Sequence, residues 1–341
     1  MGTTLIKAAW NVQIMELVTT ISPDEPIVIT IGNFDGIHRG HLRLMDELRK
    51  MAQELNCTPV LVTFSPHTLL VVRPNIDLQC LTTLEEKLAL AKHYGNIADS
   101  IVVKFTPEVA QMSANDFIEE LHHRFIIKGM VVGADFSLGH NRMGNVAFLQ
   151  TYGQEHGILV RSISLEEDER TRISSTRIRT LVKEGQIAEA NALLGHPVVV
   201  SGIVVHGDHR GRLLGFPTAN LASEPHKLLP ANGIYAAYVR VNDAFDGHEY
   251  DGAISVGVRP QFDGQKRLVE AYLLDVQLDL YDQRITVEFI ARLRDERRFE
   301  SVDALKAQMA ADVEQARQIL LADKSAMGTI NRPLPKEGRA T

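Results

Sequence analysis

The stretch Ile27-Val28-Ile29-Thr30-Ile31-Gly32-Asn33-Phe34-Asp35-Gly36-Ile37-His38-Arg39-Gly40-His41 decides the fold of the first half of the chain. Its β-branched run predicts a buried strand that ends at Gly32. The residues after it predict a helix, because apolar side chains recur on one helical face at Leu44, Leu48, Met51 and Leu55. A strand that enters a helix through a glycine-rich turn is how α/β sheets build an anion site.

Two histidines make this turn more specific than a generic glycine loop. His38 and His41 are three residues apart, so both imidazoles are expected to point the same way. Gly40 between them removes a side chain that would keep a phosphate away from the backbone. The stretch lacks Gly-x-Gly-x-x-Gly and Gly-Lys-Ser/Thr, which argues against a dinucleotide cofactor site and a P-loop.

Length and composition limit the number of domains and the classes of ligand. The chain has 341 residues, 45% of them hydrophobic, which predicts two packed domains. The net charge of -7 gives no general attraction to nucleic acid or anionic membranes, so any polyanion site must be built locally. Cys57 and Cys80 are the only cysteines, and we expect reduced thiols. No apolar run is long enough to span a membrane, and the expected location is the cytoplasm.

Strands and helices alternate through the first half of the chain. Further strands are predicted at 58–64, 100–105 and 128–133, with helices between them. This alternation favours a Rossmann-like, doubly wound parallel sheet, whose ligand lies beyond the carboxyl ends of the strands. Ser65-Pro66-His67 and Asp135-Phe136 follow two of these strands, so we expect them near the two histidines.

Three adjacent hydroxyl residues, Ser174, Ser175 and Thr176, predict the N-cap of another helix. Arg179 follows Thr176 by three residues and therefore lies on the same helical face as the N-cap end. A capped helix with an exposed arginine would explain these residues alone, but the His38/His41 turn in the same domain favours a second phosphate contact. We predict a helix at 180–194 that ends at Gly195-His196-Pro197.

The pattern changes after Pro197. Runs at 198–205, 233–245, 252–258, 267–276 and 284–290 predict a small antiparallel β-barrel. A C-terminal helix capped by Ser301 closes it. We therefore expect a Rossmann-like domain at residues 1–186, a barrel domain at 187–323 and a flexible tail at 324–341.

The long turn at 206–220 contains glycines and basic residues suited to phosphate, including His206, Gly207, Arg210, Gly211 and Gly215. His206 and His209 have no further ligands at zinc spacing, so zinc is not expected. Thr218 and Asn220 present their oxygens on one side of an extended segment, as a Mg²⁺ site requires. The alternative is that these two side chains only satisfy a turn.

Glu270 is predicted to share one face of a strand with Leu268, Tyr272 and Leu274. A carboxylate on an apolar face is a candidate general base. The alternative is a buried salt bridge with Arg259, Arg267 or Arg292. Arg259-Pro260-Gln261-Phe262 would supply a rigid turn and an apolar wall for an aromatic ligand.

Taken together, these motifs resemble the bacterial bifunctional riboflavin kinase/FAD synthetase family over residues 15–320. Gly32 to Gly36 with His38-x-Gly-His41 is similar to the family's nucleotidyltransferase motif, and Ile173-Ser174-Ser175-Thr176-x-x-Arg179 to its partner motif. Gly215-Phe216-Pro217-Thr218-Ala219-Asn220 resembles the riboflavin kinase signature, and 292–299 resembles the closing segment.

The resemblance implies two ATP-dependent reactions. Riboflavin would be phosphorylated to FMN in the barrel, with Glu270 as base and Thr218 and Asn220 holding Mg²⁺. FMN would then be adenylylated to FAD in the first domain, with release of pyrophosphate. The candidate contacts to ATP and phosphate there are Gly32, Asn33, Phe34, His38, Gly40, His41, Ser174, Ser175, Thr176 and Arg179. The candidate flavin contacts are Phe64, His67, Asp135 and Phe136 in the first domain and Phe216, Arg259, Pro260 and Phe262 in the second.

The expected partners are riboflavin, FMN and ATP, without nucleic acid or membrane, in a monomer or weak homo-oligomer. Three positions depart from the family pattern: Thr68 and Gln261 replace a common Pro and Thr, and Val276 replaces a frequent Phe. Two other hypotheses remain. The chain could adenylylate another phosphate-bearing acceptor, or it could sense flavins without turnover, although a sensor would not need Glu270.

Overall fold

The computed structural model describes residues 15–327 except 165–166, 169–170, 207–214, 243–244, 246, 262–263 and 277. At 167–168, 171–172, 259–261 and 264–266 it describes the backbone alone. The strands are β1 (Leu17–Thr19), β2 (Pro26–Ile31), β3 (Thr58–Ser65), β4 (Asp99–Lys104), β5 (Ile126–Gly133), β6 (Ser137–Leu138), β7 (Gly144–Asn145), β8 (Leu159–Ile163), β9 (Glu167–Asp168), β10 (Thr171–Arg172), β11 (Val198–Val205), β12 (Ala219–Ala222), β13 (Gly233–Val241), β14 (His248–Gln261), β15 (Gly264–Leu273) and β16 (Arg284–Arg294). The helices are α1 (Arg39–Leu55), α2 (Thr68–Val72), α3 (Leu84–Gly95), α4 (Pro107–Gln111), α5 (Ala114–Arg124), α6 (Val146–His156), α7 (Ser175–Glu184), α8 (Ile187–Leu194) and α9 (Val302–Met327).

The first half forms the predicted parallel sheet. Six strands lie in the order β1-β4-β3-β2-β5-β8, and only the edge strand β1 pairs antiparallel. The central strands are apolar because both faces of the sheet are covered, and Ile27, Ile29 and Val60 are fully buried. The chain leaves β2 toward β3 on one side and later adds β5 on the other, so the strand order reverses between β2 and β5. Sheets of this kind bind ligands at that reversal.

The second half forms the predicted barrel, closed in the order β11-β12-β15-β14-β13-β16. Its interior is filled by alternate side chains of each strand, including Tyr235, Ile254, Val269 and Phe289. The Ser301 hydroxyl caps α9, accepting the Ala304 N–H at 3.1 Å. Ala316 and Leu320 of α9 pack on Ala236 and Tyr238 of β13.

Several local predictions differ from the structure. The single helix expected at 180–194 is two helices, because Gly185 adopts a left-handed conformation (φ 77°) and ends α7. Strands β8 and β12 were not predicted, and both are short. Helix α9 continues to Met327, past residue 323 where the second domain was expected to end.

Contacts divide the chain into two compact units. The first contains residues 1–33, 44–76 and 97–164, and the second contains 34–43, 77–96 and 165–341. The second unit therefore includes not only the barrel but also the turn with His38 and His41 and helix α3. The domain limits 1–186 and 187–323 stay a prediction.

Candidate active sites

The turn between β2 and α1 has an unusual backbone. Phe34, Gly36 and Ile37 all have positive φ, at 50°, 86° and 43°. A left-handed conformation is uncommon for a bulky residue and rarer for a β-branched one, so this turn is strained unless its surroundings hold it. A Cβ at position 36 would lie 2.7 Å from the Leu81 Cδ1, which explains the glycine there. Such strain is typical of ligand-binding turns.

The two histidines of this turn are stacked. The His38 and His41 ring centroids lie 3.7 Å apart with an interplanar angle of 15°, so both imidazoles point the same way, as their spacing predicted. The edge of the Phe34 ring packs against His41 at 5.2 Å. His38 is buried and His41 is half-buried. The pair therefore presents two fixed ring donors or acceptors from one short segment.

Asp35 anchors the turn, a role that the sequence did not reveal. Its carboxylate accepts the backbone N–H groups of Leu81 and Thr82 at 3.1 and 3.0 Å, and the Thr82 hydroxyl at 3.2 Å. The Thr82 hydroxyl oxygen also accepts the Gly36 N–H at 3.1 Å. Two hydrogen bonds from backbone N–H groups and one from a hydroxyl explain how the carboxylate of this buried residue is accommodated.

The same buried region perturbs two other groups. Burial lowers the pKa of Lys87 to about 8, although the Asp35 carboxylate acts in the opposite direction. Burial also raises the pKa of the Cys80 thiol to about 11, with Asp35 acting in the same sense. Cys57 and Cys80 are both free thiols.

The N-terminus of α7 meets this turn. Ser174 is the N-cap, as predicted, and its hydroxyl accepts the Arg177 N–H at 3.3 Å. The Ser175 hydroxyl donates to the Asp35 carbonyl oxygen at 2.9 Å, and the Arg179 guanidinium lies 2.7 Å from the Asp35 carboxylate. Thr176 is exposed. The second unit therefore brings Ser175 and Arg179 to the segment that carries both histidines.

Other predicted residues follow the carboxyl ends of β2, β3 and β5 in the first unit. After β2, the Asn33 side chain donates to the Thr68 hydroxyl at 2.9 Å and accepts the Thr68 N–H at 3.2 Å. After β3, His67 is the N-cap of α2, where its Nδ1 accepts the Leu69 N–H at 3.2 Å. Thr68, noted only as a departure from the family pattern, thus holds Asn33.

The aromatic residues at this edge are partly structural. Phe64 packs its ring against Phe105 and Phe117, with centroids 5.4 and 6.0 Å apart. Phe136 is half-buried against the core of the first unit, and Asp135 is exposed. Phe64 therefore stabilises the core and also lies at the carboxyl end of β3.

In the barrel, Asn220 and Glu270 are direct cross-strand partners on β12 and β15. Ser255 of β14 lies opposite Glu270 on its other side, a neighbour that the sequence did not predict. Directly opposed residues of antiparallel strands point to the same side, with Cβ atoms about 5 Å apart. The barrel wall thus presents Asn220, Glu270 and Ser255 in one row across three strands.

The face that carries Glu270 is not the core face. Val269, Ala271 and Leu273 fill the barrel interior, so the half-buried Glu270 and Tyr272 point to the other side. Leu274 lies beyond the end of β15, so the alternation of that strand does not place it on this face as predicted. The period of two placed Glu270 with Tyr272 correctly, but it could not tell which face is inside.

The other candidate residues of the second half are only partly described. The Phe216 and Tyr272 rings pack edge to face with their centroids 5.4 Å apart, which brings Phe216 to the face of Glu270. His206 is exposed and stacks on Tyr281 at 4.0 Å. Gly215 has a positive φ of 91°. Gly207, Arg210, Gly211 and Phe262, and the side chains of Arg259 and Pro260, lie outside the described residues.

Two of the arginines considered as salt-bridge partners of Glu270 bind other groups. Arg267 donates from Nε to the Asn232 side chain at 3.0 Å. Arg292 donates to the Asn232 carbonyl oxygen and pairs with Asp295, each at 2.6 Å. These contacts direct both guanidinium groups to a network around Asn232.

The residues beside Glu270 fit a hard divalent cation. Asn220 is 7% exposed, and its Oδ1 has no hydrogen-bond partner among the described residues. A buried amide oxygen without a donor is costly unless a ligand completes it. The described part of the chain contains no cluster of three or more His, Cys, Asp or Glu that could hold a metal. The arrangement is therefore unlike an all-protein metal cage and suits an ion that arrives with nucleotide phosphates.

Comparison with known proteins matches a different family model to each half of the chain. The FAD synthetase family model matches residues 20–177, and the riboflavin kinase model matches residues 194–320. A bifunctional riboflavin kinase/FMN adenylyltransferase of Escherichia coli K12 is 37% identical over 306 residues, which are 89% of this chain and 96% of that protein. The protein of the same name from Pseudomonas fluorescens is 36% identical, with 86% and 92% covered.

A solved structure from Streptococcus pneumoniae has the same fold, with a TM-score of 0.76 and 31% identity over 86% of this chain and 94% of that one. That protein is called a macrolide-efflux protein. In the described part of the present chain, no helix is both long and apolar enough to cross a membrane. The two family models and the relatives from Escherichia coli and Pseudomonas fluorescens establish the family: this chain belongs to the bifunctional riboflavin kinase/FMN adenylyltransferases.

Proposed function

We propose that the chain phosphorylates riboflavin to FMN with ATP and then adenylylates FMN with a second ATP to give FAD and pyrophosphate. The observation that carries the kinase half is the direct cross-strand pairing of Glu270 with Asn220, whose buried Oδ1 is unsatisfied among the described residues. A base and a metal-binding oxygen side by side are what transfer of a phosphoryl group to a hydroxyl needs.

In the kinase step, the terminal ribityl hydroxyl oxygen bonds to the γ-phosphorus of ATP. The bond from that phosphorus to the β–γ bridging oxygen breaks, and ADP leaves. Glu270 accepts the hydroxyl proton. Phe216 and Tyr272 pack on the same face as Glu270, which supports a flavin ring position there. Arg259, Pro260 and Phe262 complete the proposed flavin wall, and His206, Gly207, Arg210, Gly211 and Gly215 the proposed phosphate loop.

Both reactions of this family use ATP and a divalent metal, and we assign Mg²⁺ as that metal. Asn220 and the preceding Thr218 would hold it through neutral oxygens. When bound, such an ion would neutralise charge on the transferring phosphate. Glu270 is half-buried, and Asn220, rather than a second carboxylate, lies directly opposite it on the neighbouring strand.

In the adenylyl transfer, a phosphate oxygen of FMN bonds to the α-phosphorus of ATP. The α–β phosphoanhydride bond breaks, and pyrophosphate leaves with the electron pair. We assign His38, His41, Ser175, Thr176 and Arg179 to the triphosphate, with Gly32, Phe34, Gly40 and Ser174 shaping its backbone site. The stacked imidazoles and the α7 N-terminus in one unit support this assignment. No covalent intermediate is needed, since positioning and charge stabilisation are sufficient.

The remaining assignments are to the flavin and nucleotide cleft of the first domain. We place Asn33, Phe64, His67, Asp135 and Phe136 there because Phe64 lies at the carboxyl end of β3 and the other four follow the carboxyl ends of β2, β3 and β5. The strand order reverses between β2 and β5, and sheets of this kind bind ligands at that point. A cytoplasmic location follows from the use of ATP in both steps. We expect a monomer or a weak homo-oligomer, without nucleic acid or membrane partners.

One assay tests the function. Purified protein is incubated with riboflavin, excess ATP and Mg²⁺, and flavins are separated by chromatography. We expect FMN to form first and FAD to follow, with pyrophosphate equal to FAD. If neither flavin product forms, the proposal is wrong.

Two variants test the division of labour. Glu270→Ala should block FMN formation but still convert added FMN to FAD, whereas His41→Ala should stop the reaction at FMN. Equal loss of both steps in either variant would contradict separate sites.

A further inference from the structure

The ion pair between Asp35 and Arg179 joins the two motifs of the adenylyltransferase half. The Asp35 carboxylate is 3% exposed and the Arg179 side chain 13%. Each Asp35 oxygen is engaged: Oδ2 receives Arg179 and the Leu81 N–H, and Oδ1 receives the Thr82 N–H and hydroxyl. The carboxylate therefore has little freedom to rotate, and it fixes what is bound to it.

Arg179 keeps donors beyond this pair. One terminal nitrogen donates to Asp35, while the buried Nε has no hydrogen-bond partner among the described residues. A guanidinium carries five N–H donors in a rigid plane and pairs well with phosphate oxygens. A guanidinium that is held at one corner and unsatisfied at another is prepared for an anionic ligand.

Asp35 also acts through its backbone. Its carbonyl oxygen accepts the Ser175 hydroxyl at 2.9 Å, next to the N-cap of α7. One residue thus fixes both the start of α7 and a guanidinium one turn further along that helix. Asp35 itself is buried and negative, so it is unsuited to touch a triphosphate.

We propose that Asp35 is a positioning residue for adenylyl transfer: its carboxylate holds the Arg179 guanidinium in the orientation that receives the ATP phosphates. This inference rests on the proposed function. It assigns Asp35 no contact with substrate, and it predicts that Asp35 and Arg179 act as one unit.

A double-mutant cycle in the full-length enzyme tests the proposal. Asp35→Asn, Arg179→Ala and the double variant are compared by kcat and KM for ATP in the conversion of FMN to FAD. We expect Asp35→Asn to lower kcat/KM about 100-fold, because a displaced catalytic contact costs that much. The double variant should be within about threefold of Arg179→Ala, since coupled residues are not additive. If the fold loss in kcat/KM of the double variant equals the product of the two single losses, the residues act independently and the proposal is overturned.

Controls separate positioning from folding. Thr82→Val removes the Thr82 hydroxyl, which bonds to Asp35 and Gly36, but leaves the ion pair, so it should lower kcat/KM much less than Asp35→Asn. FMN formation by the same preparations reports the integrity of the barrel. If Asp35→Asn also loses FMN formation, the variant is misfolded and cannot test the proposal. The test is then the rescue of Arg179→Ala by added guanidinium ion. With Asp35 in place, guanidinium should restore FAD formation several-fold, and no restoration would contradict the proposal.

The wild-type enzyme distinguishes the two levels of inference. If it forms no FAD, the proposed function fails. If it forms FAD but the Asp35 and Arg179 losses multiply, only the positioning role is wrong.

Discussion

Asn220 and Glu270 lie directly opposite each other on β12 and β15, although they are far apart in the sequence. Both side chains point away from the barrel interior, which is filled by Leu221, Val269 and Ala271. The Asn220 Oδ1 is buried and lacks a hydrogen-bond partner within the described residues. This pairing places a metal-binding oxygen beside a candidate base.

Asn220→Ala should lower kcat/KM for FMN formation about 100-fold, because the phosphoryl transfer loses an organising contact. Raising the Mg²⁺ concentration should recover part of the loss. Conversion of added FMN to FAD should be unchanged and serves as the control. A Mg²⁺ dependence identical to that of the wild type would argue against Asn220 as a metal-binding residue.

Thr68→Val should raise the KM for FMN in FAD synthesis. The hydroxyl that accepts the Asn33 amide is lost, which leaves one hydrogen bond of about 1 kcal/mol unmade, or about fivefold. Thr68→Pro should raise the KM further, because it also removes the N–H that donates to Asn33.

The matched control for these variants is Thr58→Val. The Thr58 hydroxyl bonds to Glu25 at the opposite end of β3, so its loss should leave the KM for FMN unchanged. Equal effects of Thr58→Val and Thr68→Val would show that Asn33 is not held for ligand binding.

Lys227→Met should destabilise the second unit by about 3–5 kcal/mol, because it leaves the Glu86 carboxylate buried without its cation. The two side chains are 0% and 1% exposed and 2.7 Å apart. Glu86 also accepts the Ser201 N–H of β11 at 2.6 Å and the Thr83 N–H at 2.9 Å, so α3 is bonded to the barrel through this carboxylate.

Urea unfolding measures this effect. Adding Glu86→Gln to Lys227→Met should recover part of the stability, because the unpaired buried charge is removed. The recovery is incomplete because Ser201 and Thr83 donate their N–H groups to different carboxylate oxygens, and glutamine has only one oxygen to accept them. Lys104→Met removes the exposed pair with Glu16 and should change stability little. A Lys227→Met variant as stable as Lys104→Met would mean that the buried pair contributes nothing.

The stability of the enzyme should depend on Lys87 above pH 8. Burial lowers the pKa of Lys87 from 10.5 to about 8 in the folded state. Between pH 8 and 10.5 the unfolded chain binds more protons at Lys87 than the folded chain does. The contribution of Lys87 to the free energy of unfolding therefore rises by about 3 kcal/mol over this range. Below pH 8 the charged form is present in both states and the contribution is constant and unfavourable.

The measurement is the difference in unfolding free energy between the wild type and Lys87→Met at pH 7.5 and pH 10.5. Both proteins carry Cys80→Ser, because the Cys80 thiol, with a pKa raised to about 11, interacts electrostatically with Lys87 and would not cancel in the difference. The Asp35 carboxylate acts on both groups and is present in both proteins. A difference that does not change with pH would show that Lys87 is protonated normally in the fold.

The sequence alone determined the local features of this protein. The alternation of apolar runs and helical periods specified a parallel α/β sheet followed by a barrel, because both depend on side-chain periods of 2 and 3.6 residues. The spacing of His38 and His41 was enough to predict that their rings point together. Ser174 was recognisable as an N-cap because capping is a contact between close neighbours in the chain.

Only the tertiary structure decided the contacts between distant segments. Asp35 lies in the Gly32 to Gly36 turn, yet its carboxylate accepts hydrogen bonds from Leu81, Thr82 and Arg179. The local periodicity of the sequence cannot encode contacts between such distant residues. The register that sets Asn220 opposite Glu270 depends on strand pairing around a closed barrel. The same holds for α3, which is joined to the barrel because burial of Glu86 requires a cation and N–H donors that distant residues supply.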